Sequence, residues 1–205
     1  MKILKSTVLA LLISALAGPA FAAEIKAVAT FSILGDIVAR VGGDRVAVTT
    51  IVGPNADTHV YEPKPSDAVA VSQADVLFVN GLGFEGWLDR FVESTNFAGP
   101  VVVAGAGVKT HTMDEDGAVV TDPHAWQSLK NGLLYVKNVA AGLCTADAAG
   151  CADYEANAAA YSAEIAALDE AVIADIAAVP EDKRQVITTH DAFGYFGEEY
   201  GVKFL

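Results

Sequence analysis

The chain has 205 residues, 53% of them hydrophobic, and its 26 acids against 13 lysines and arginines give a formal net charge of −13. That is enough apolar material for a sizeable core. The acidic excess argues against nucleic acid or an anionic membrane surface as a partner, and it raises the local concentration of cations, although a charged surface is also an ordinary solubility device.

Residues 1–23 read as a secretory signal peptide, with Lys2 and Lys5 as a positive start, "TVLALLISALA" as the apolar core and "AFA" ending at Ala22 as the cleavage site. The apolar run is shorter than the roughly 20 residues of a membrane span, and no later segment reaches that length without charge. The expected product is a soluble, exported, periplasmic protein, not inserted in the membrane after cleavage.

"IKAVATF" at 25–31 reads as a strand, and "SILGDIVARVG" as a helix with Ser32 as N-cap and Ile33, Ile37 and Val41 at helical spacing. "RVAVTTIV" is a second strand, followed by the loop "GPNADTHVYEPKPSD", where Pro54, Pro63 and Pro65 stiffen the backbone around His59. "PSDAVAVSQA" is a short helix, "DVLFVN" a strand, "GWLDRFVES" a helix and "PVVVAG" another buried strand. Strands that alternate with helices and are apolar throughout predict a parallel sheet covered on both faces.

"VKTHTMDEDGAVVTDPH" reads as a polar loop, mobile near its tip at Asp116 and Gly117. A helix over 128–143 leads to "CTADAAGC", where Cys144 and Cys151 of an exported chain are expected to form a local disulfide that pins a helix-helix turn. Metal ligation by these thiols is the lesser alternative. The next helix, 152–178, is ended by Pro180 and carries an apolar stripe of Tyr154, Ala158, Tyr161, Ile165, Leu168, Val172 and Ile176 along about 40 Å. "QVITTH" then reads as a strand, "DAFGYFGEEY" as a helix and "GVKFL" as a further strand. One and a half β-α units do not close a core. The expected organisation is an α/β lobe over 24–145, a disulfide turn and linking helix over 146–180, and the start of a second α/β lobe over 181–205, the chain being an N-terminal fragment.

Three of the four histidines occupy equivalent places. His59 follows the second strand, His124 the loop after "PVVVAG", and His190 ends "QVITT". Carboxyl ends of strands in an open parallel sheet are where ligands bind, so residues 65 and 66 positions apart can converge there. Pro123 fixes the direction from which His124 emerges. One loop histidine is usually a solvated side chain, but three at equivalent positions point to a divalent metal held by neutral imidazoles, a donor set that suits zinc better than manganese. Glu62, Asp122 and Asp191 adjoin these residues and can orient imidazoles, or can be exposed charges.

"DTHVYEPKPSD", "DPHAW" and "THDAFGYF", in that order behind a signal peptide, resemble the signature segments of periplasmic solute-binding proteins that feed zinc or manganese to ABC importers. The similarity covers essentially all of the expected mature chain. It implies two α/β lobes joined by a long rigid helix with the metal in the cleft, His59 and His124 as ligands from the first lobe and His190 from the second. Manganese-type relatives commonly have glutamate at the third position, so His190 tilts the reading toward Zn2+, with Mn2+ as the alternative cargo. The family's fourth ligand, usually a carboxylate further along the second lobe, has no counterpart in these residues. Zinc-type relatives often carry a histidine-rich loop before "DPH"; here His111 stands among Asp114, Glu115 and Asp116, either as a weak outer capture site or as a solvated histidine.

The resemblance implies a monomeric receptor that passes the ion to an ABC transporter permease without chemical change. A manganese receptor or adhesin, or a storage protein, would use the same site. A zinc hydrolase would use it too, but the sequence contains no "HExxH" helix or serine nucleophile elbow and nominates no general base.

Overall fold

The structure is a computed structural model that describes residues 24–115 and 117–205; the expected signal peptide and Asp116, at the tip of the predicted loop, lie outside them. Four parallel strands make the main sheet in the order β2-β1-β3-β4, with β1 at Ile25–Phe31, β2 at Val46–Val52, β3 at Val76–Val79 and β4 at Val101–Val103. Helix α1, Ser32–Gly42, returns the chain from β1 to β2. The chain then crosses to the other side of β1, where α2, Pro65–Ser72, leads to β3 and α3, Leu88–Thr95, leads to β4. The strand order therefore reverses between β1 and β3, and a crevice opens at their carboxyl ends.

The central strands carry the core. Ala27, Val28, Ala29 and the whole of β3 are sealed from solvent, with Leu34, Val38 and Val41 of α1 packed over them. Ser32 is not the cap of α1: the helix already includes it, Phe31 holds the extended capping position, and no side chain closes that end. The "VVV" strand is not buried as expected, because β4 lies at the sheet edge and leaves Val101 46% and Val103 40% exposed.

The predicted polar loop is a β-hairpin, with β5 at Thr112–Glu115 antiparallel to β6 at Ala118–Thr121. Gly117 at φ 82° makes the turn, and its N–H donates to Asp114 Oδ1 at 2.9 Å. The segment reads as a loop because β5 is polar and the ribbon joins no larger sheet, so β6 is mostly exposed and shows no periodic buried face.

Helix α4, Leu129–Ala146, is capped by Ser128, whose hydroxyl accepts from the Asn131 N–H. It is joined to α5, Cys151–Ala178, by the Cys144–Cys151 disulfide, with the two Cα atoms 4.5 Å apart. Beside it, Asp147 accepts from Arg45 at 2.7 Å and from the Tyr154 hydroxyl at 2.8 Å, tying the turn to the end of α1. The 28 residues of α5 make a rod of about 42 Å. Its predicted stripe splits in two. Tyr154, Ala158 and Ile165 are buried against α1 and α4, whereas Leu168 is 53% exposed.

Beyond α5, "QVITTH" forms only the two-residue strand β7, Gln185–Val186. Its one partner among the described residues is the equally short β8, Lys203–Phe204, so nothing extends the ladder through Ile187, which is 81% exposed. Helix α6, Gly194–Tyr200, lies between these strands in the chain and packs against α5 and the short turn at Ala125–Gln127. It is anchored at its far end by Tyr200, whose hydroxyl donates to Asp169 at 2.6 Å, and by an ion pair between Glu199 and Lys130.

Candidate metal centre

The loop between β2 and α2 presents His59. Asp57 Oδ1 accepts the His59 backbone N–H at 2.9 Å, and Trp87 Nε1 donates to the Thr58 carbonyl at 2.9 Å. The loop's exit is fixed by Asp67, which accepts from the Tyr61 hydroxyl and from the Lys64 N–H, with Pro65 opening α2. The Phe84 ring stands edge-on to His59 at 4.8 Å.

His124 is held more rigidly, at 2% exposure. Asp122 Oδ1 accepts both its backbone N–H, at 2.9 Å, and its Nδ1–H, at 2.8 Å. "DTH" and "DPH" thus repeat one local device, a carboxylate capping the amide two residues on. The preceding peptide is also pinned: Asn80, at the end of β3, donates its amide to the Pro123 carbonyl at 2.9 Å and accepts from the buried Tyr135 hydroxyl at 2.6 Å.

A further buried carboxylate, Glu85, fastens the loop that carries Phe84. It accepts from Thr30 Oγ1 at 2.6 Å, from the Asn80 N–H at 2.7 Å and from the Gly81 N–H at 3.2 Å, closing a turn in which Gly81, Leu82 and Gly83 all have positive φ. Burial pushes the Glu85 carboxyl up, against those hydrogen bonds. For Asp122 burial acts in the same upward sense, but the hydrogen bonds from His124 and the neighbouring imidazoles outweigh it and hold the carboxyl below its ordinary value.

His190 lies in the bend before α6 and is exposed. The structure brings all three predicted histidines together. His124 Nε2 is 3.1 Å from His59 Nε2 and 3.2 Å from His190 Nε2, and the donor atoms of the trio fall within 4.8 Å of one another. Since Asp122 accepts a hydrogen bond from Nδ1–H and so keeps the ring proton on that nitrogen, the Nε2 of His124 carries its lone pair toward the other two rings. At zinc-nitrogen distances of about 2.0–2.1 Å, these separations subtend about 100° at a common ion, which suits three imidazoles on one face of a metal. Cavities of about 540 and 420 Å3 flank the cluster, the larger walled by Met113 and Val120 of the hairpin.

Of the three neighbouring acids, only Asp122 is buried; Glu62 and Asp191 are exposed charges. His111 is not a solvated loop histidine but is partly buried. Its ring lies on Tyr195 of α6 with centroids 3.9 Å apart, its Nδ1 is 3.7 Å from Asp122 Oδ2, and its Nε2 is buried. Cys144 and Cys151 lie near Glu155, but their sulfurs are joined to each other and are not free to ligate. Asp57, Asn80, Glu85, Tyr135 and Tyr195 were not singled out from the sequence; the repeated D-x-H pattern was the one local signal for the first of them.

Residues 27–205 match the sequence profile of the family described as zinc-uptake complex component A, periplasmic (ZnuA). The chain is 41% identical over 177 residues to the manganese-binding lipoprotein MntA of Halalkalibacterium halodurans, covering 86% of this chain and 58% of that one. It is 35% identical over 183 residues to the iron-binding protein YfeA of Yersinia pestis, covering 89% and 58%. The Mn-bound periplasmic metal-binding protein of Candidatus Liberibacter asiaticus superimposes with a TM-score of 0.80 at 31% identity, over 89% of this chain and 68% of that one. The chain thus spans somewhat under three fifths of the length of those two curated relatives.

Proposed function

The chain belongs to the family of periplasmic A components of zinc-uptake complexes, and from that premise we propose that it is an exported receptor for a divalent transition metal. The ion is held by His59, His124 and His190 and handed, chemically unchanged, to the permease of an ABC importer. The observation that carries this reading is the meeting of three Nε2 atoms, 3.1 and 3.2 Å apart, with the central ring's tautomer set by Asp122. Residues 24–145 act as the first lobe, 146–180 as the rigid link, and 181–205 as part of a second lobe that brings His190 to the ion.

Zinc is the proposed cargo, because three imidazole nitrogens are a borderline donor set that manganese, which prefers oxygen, fits less well. Manganese is the second reading, supported by relatives whose names record manganese binding. The relatives carry the names of metal-binding proteins, which supports a carrier rather than a zinc hydrolase. Competition between zinc and manganese, followed by metal analysis after gel filtration, tests the assignment. Zinc displaces manganese at equal concentration if the three nitrogens dominate selection. Retention of manganese in excess zinc would reverse the order.

A further inference from the structure

We infer that Gly194 is the seat on which the segment carrying His190 closes against Asp122, and that the absence of a side chain there sets how tightly the third imidazole is held. This rests on the metal-centre reading and extends it to a residue that touches no metal.

Gly194 opens α6, four residues after His190, and the intervening chain is folded tightly by a bond from the Ala192 N–H to the His190 carbonyl at 3.1 Å. A Cβ at position 194 would lie 2.8 Å from Asp122 Oδ2 and 2.7 Å from His111 Cε1, closer than side chains tolerate. Neither neighbour yields without consequence. Asp122 is 2% exposed, and its other oxygen holds both the backbone and the ring of His124. Turning the carboxylate to free Oδ2 would carry Oδ1 off that imidazole. The His111 ring lies against Tyr195 at an interplanar tilt of 39°, and the Tyr195 hydroxyl donates to the Asp122 carbonyl at 2.9 Å.

A methyl group at 194 is therefore accommodated by backing the start of α6 away from Asp122. The far end of α6 stays fixed through Tyr200 on Asp169 and Glu199 on Lys130, so the movement is a tilt. The tilt withdraws His190, the nearest ligand along the chain, while His59 and His124 keep their own supports. Glycine at this position lets the two segments meet with the three nitrogens already within reach of one ion, which lowers the cost of organising the site when metal enters.

The test is zinc affinity by chelator competition in full-length wild type, Gly194→Ala, His190→Ala and the double variant, with zinc release followed by stopped flow. Gly194→Ala is expected to lower affinity about tenfold or more, mainly through faster release. In the His190→Ala background the same substitution should change affinity by less than about twofold, because the ligand through which it acts is gone. Wild-type affinity in Gly194→Ala overturns the inference, and so does an undiminished loss in the His190→Ala background. If Gly194→Ala does not fold, Tyr195→Phe, which removes the bond to the Asp122 carbonyl and keeps the ring on His111, replaces it in the same cycle with the same two criteria. Wild-type affinity in His190→Ala alone would instead refute the three-histidine centre, and is separable from failure at position 194.

Discussion

His124 Nδ1 lies 2.8 Å from Asp122 Oδ1, and the same oxygen accepts the His124 backbone N–H at 2.9 Å. One carboxylate oxygen therefore sets both the direction of the ring and the tautomer that leaves Nε2 bare. Asn at 122 can turn its NH2 toward Nδ1 and place the ring proton on the metal-facing nitrogen. Asp122→Asn should weaken zinc binding by about 10–100-fold in chelator competition. Affinity equal to wild type would remove Asp122 from the site.

Glu85 is the buried acceptor for three donors, Thr30, Asn80 and Gly81. In Glu85→Gln the amide group replaces one acceptor by a donor, so one of these groups faces another donor. Urea unfolding should show a loss of about 1–3 kcal/mol. An unchanged midpoint would mean that the turn carrying Phe84 is held by other contacts.

The Cys144–Cys151 bridge closes a short loop, with a sequence separation of 7. The chain-entropy relation for such a loop gives about 2.5 kcal/mol, and the double serine variant should lose about that much or less. Its zinc affinity should match wild type, since the bridge lies at the α4-α5 turn and lines neither cavity beside the histidines. Loss of affinity with retained stability would contradict this separation.

Arg45 holds the Asp147 carboxyl below its ordinary value through a hydrogen bond, reinforced by the Tyr154 hydroxyl. A carboxyl depressed on folding stabilises the protein above its unfolded value of 3.8, and that contribution is lost as the pH falls through the folded value. Arg45→Met should therefore be less stable than wild type at pH 7, with the gap narrowing as the pH falls below 3.8. Denaturant midpoints across that range check it; a gap independent of pH would assign the effect to packing.

The central β1-α1-β2 and β3 units were legible because their apolar residues recur at the periods of buried helices and strands. What failed depended on neighbours that periodicity does not record. "VVV" reads as a core strand, but its place at the sheet edge follows from the strand order. "QVITTH" reads as a strand of six, but only two residues find a partner. The polar run around Gly117 concealed a hairpin, and with it the return of His111 onto Tyr195. Sequence pointed to three histidines at strand ends; the pinning of His124 by Asp122, Asn80 and Tyr135 depends on contacts across as many as 55 positions of chain.

The most direct test of the central claim is the X-ray absorption spectrum of the zinc-loaded full-length protein. Three imidazole rings should appear, with nitrogen scatterers at about 2.0–2.1 Å and the outer-shell scattering of rigid rings. A first shell with at most one imidazole would contradict the assignment of His59, His124 and His190 to a common ion.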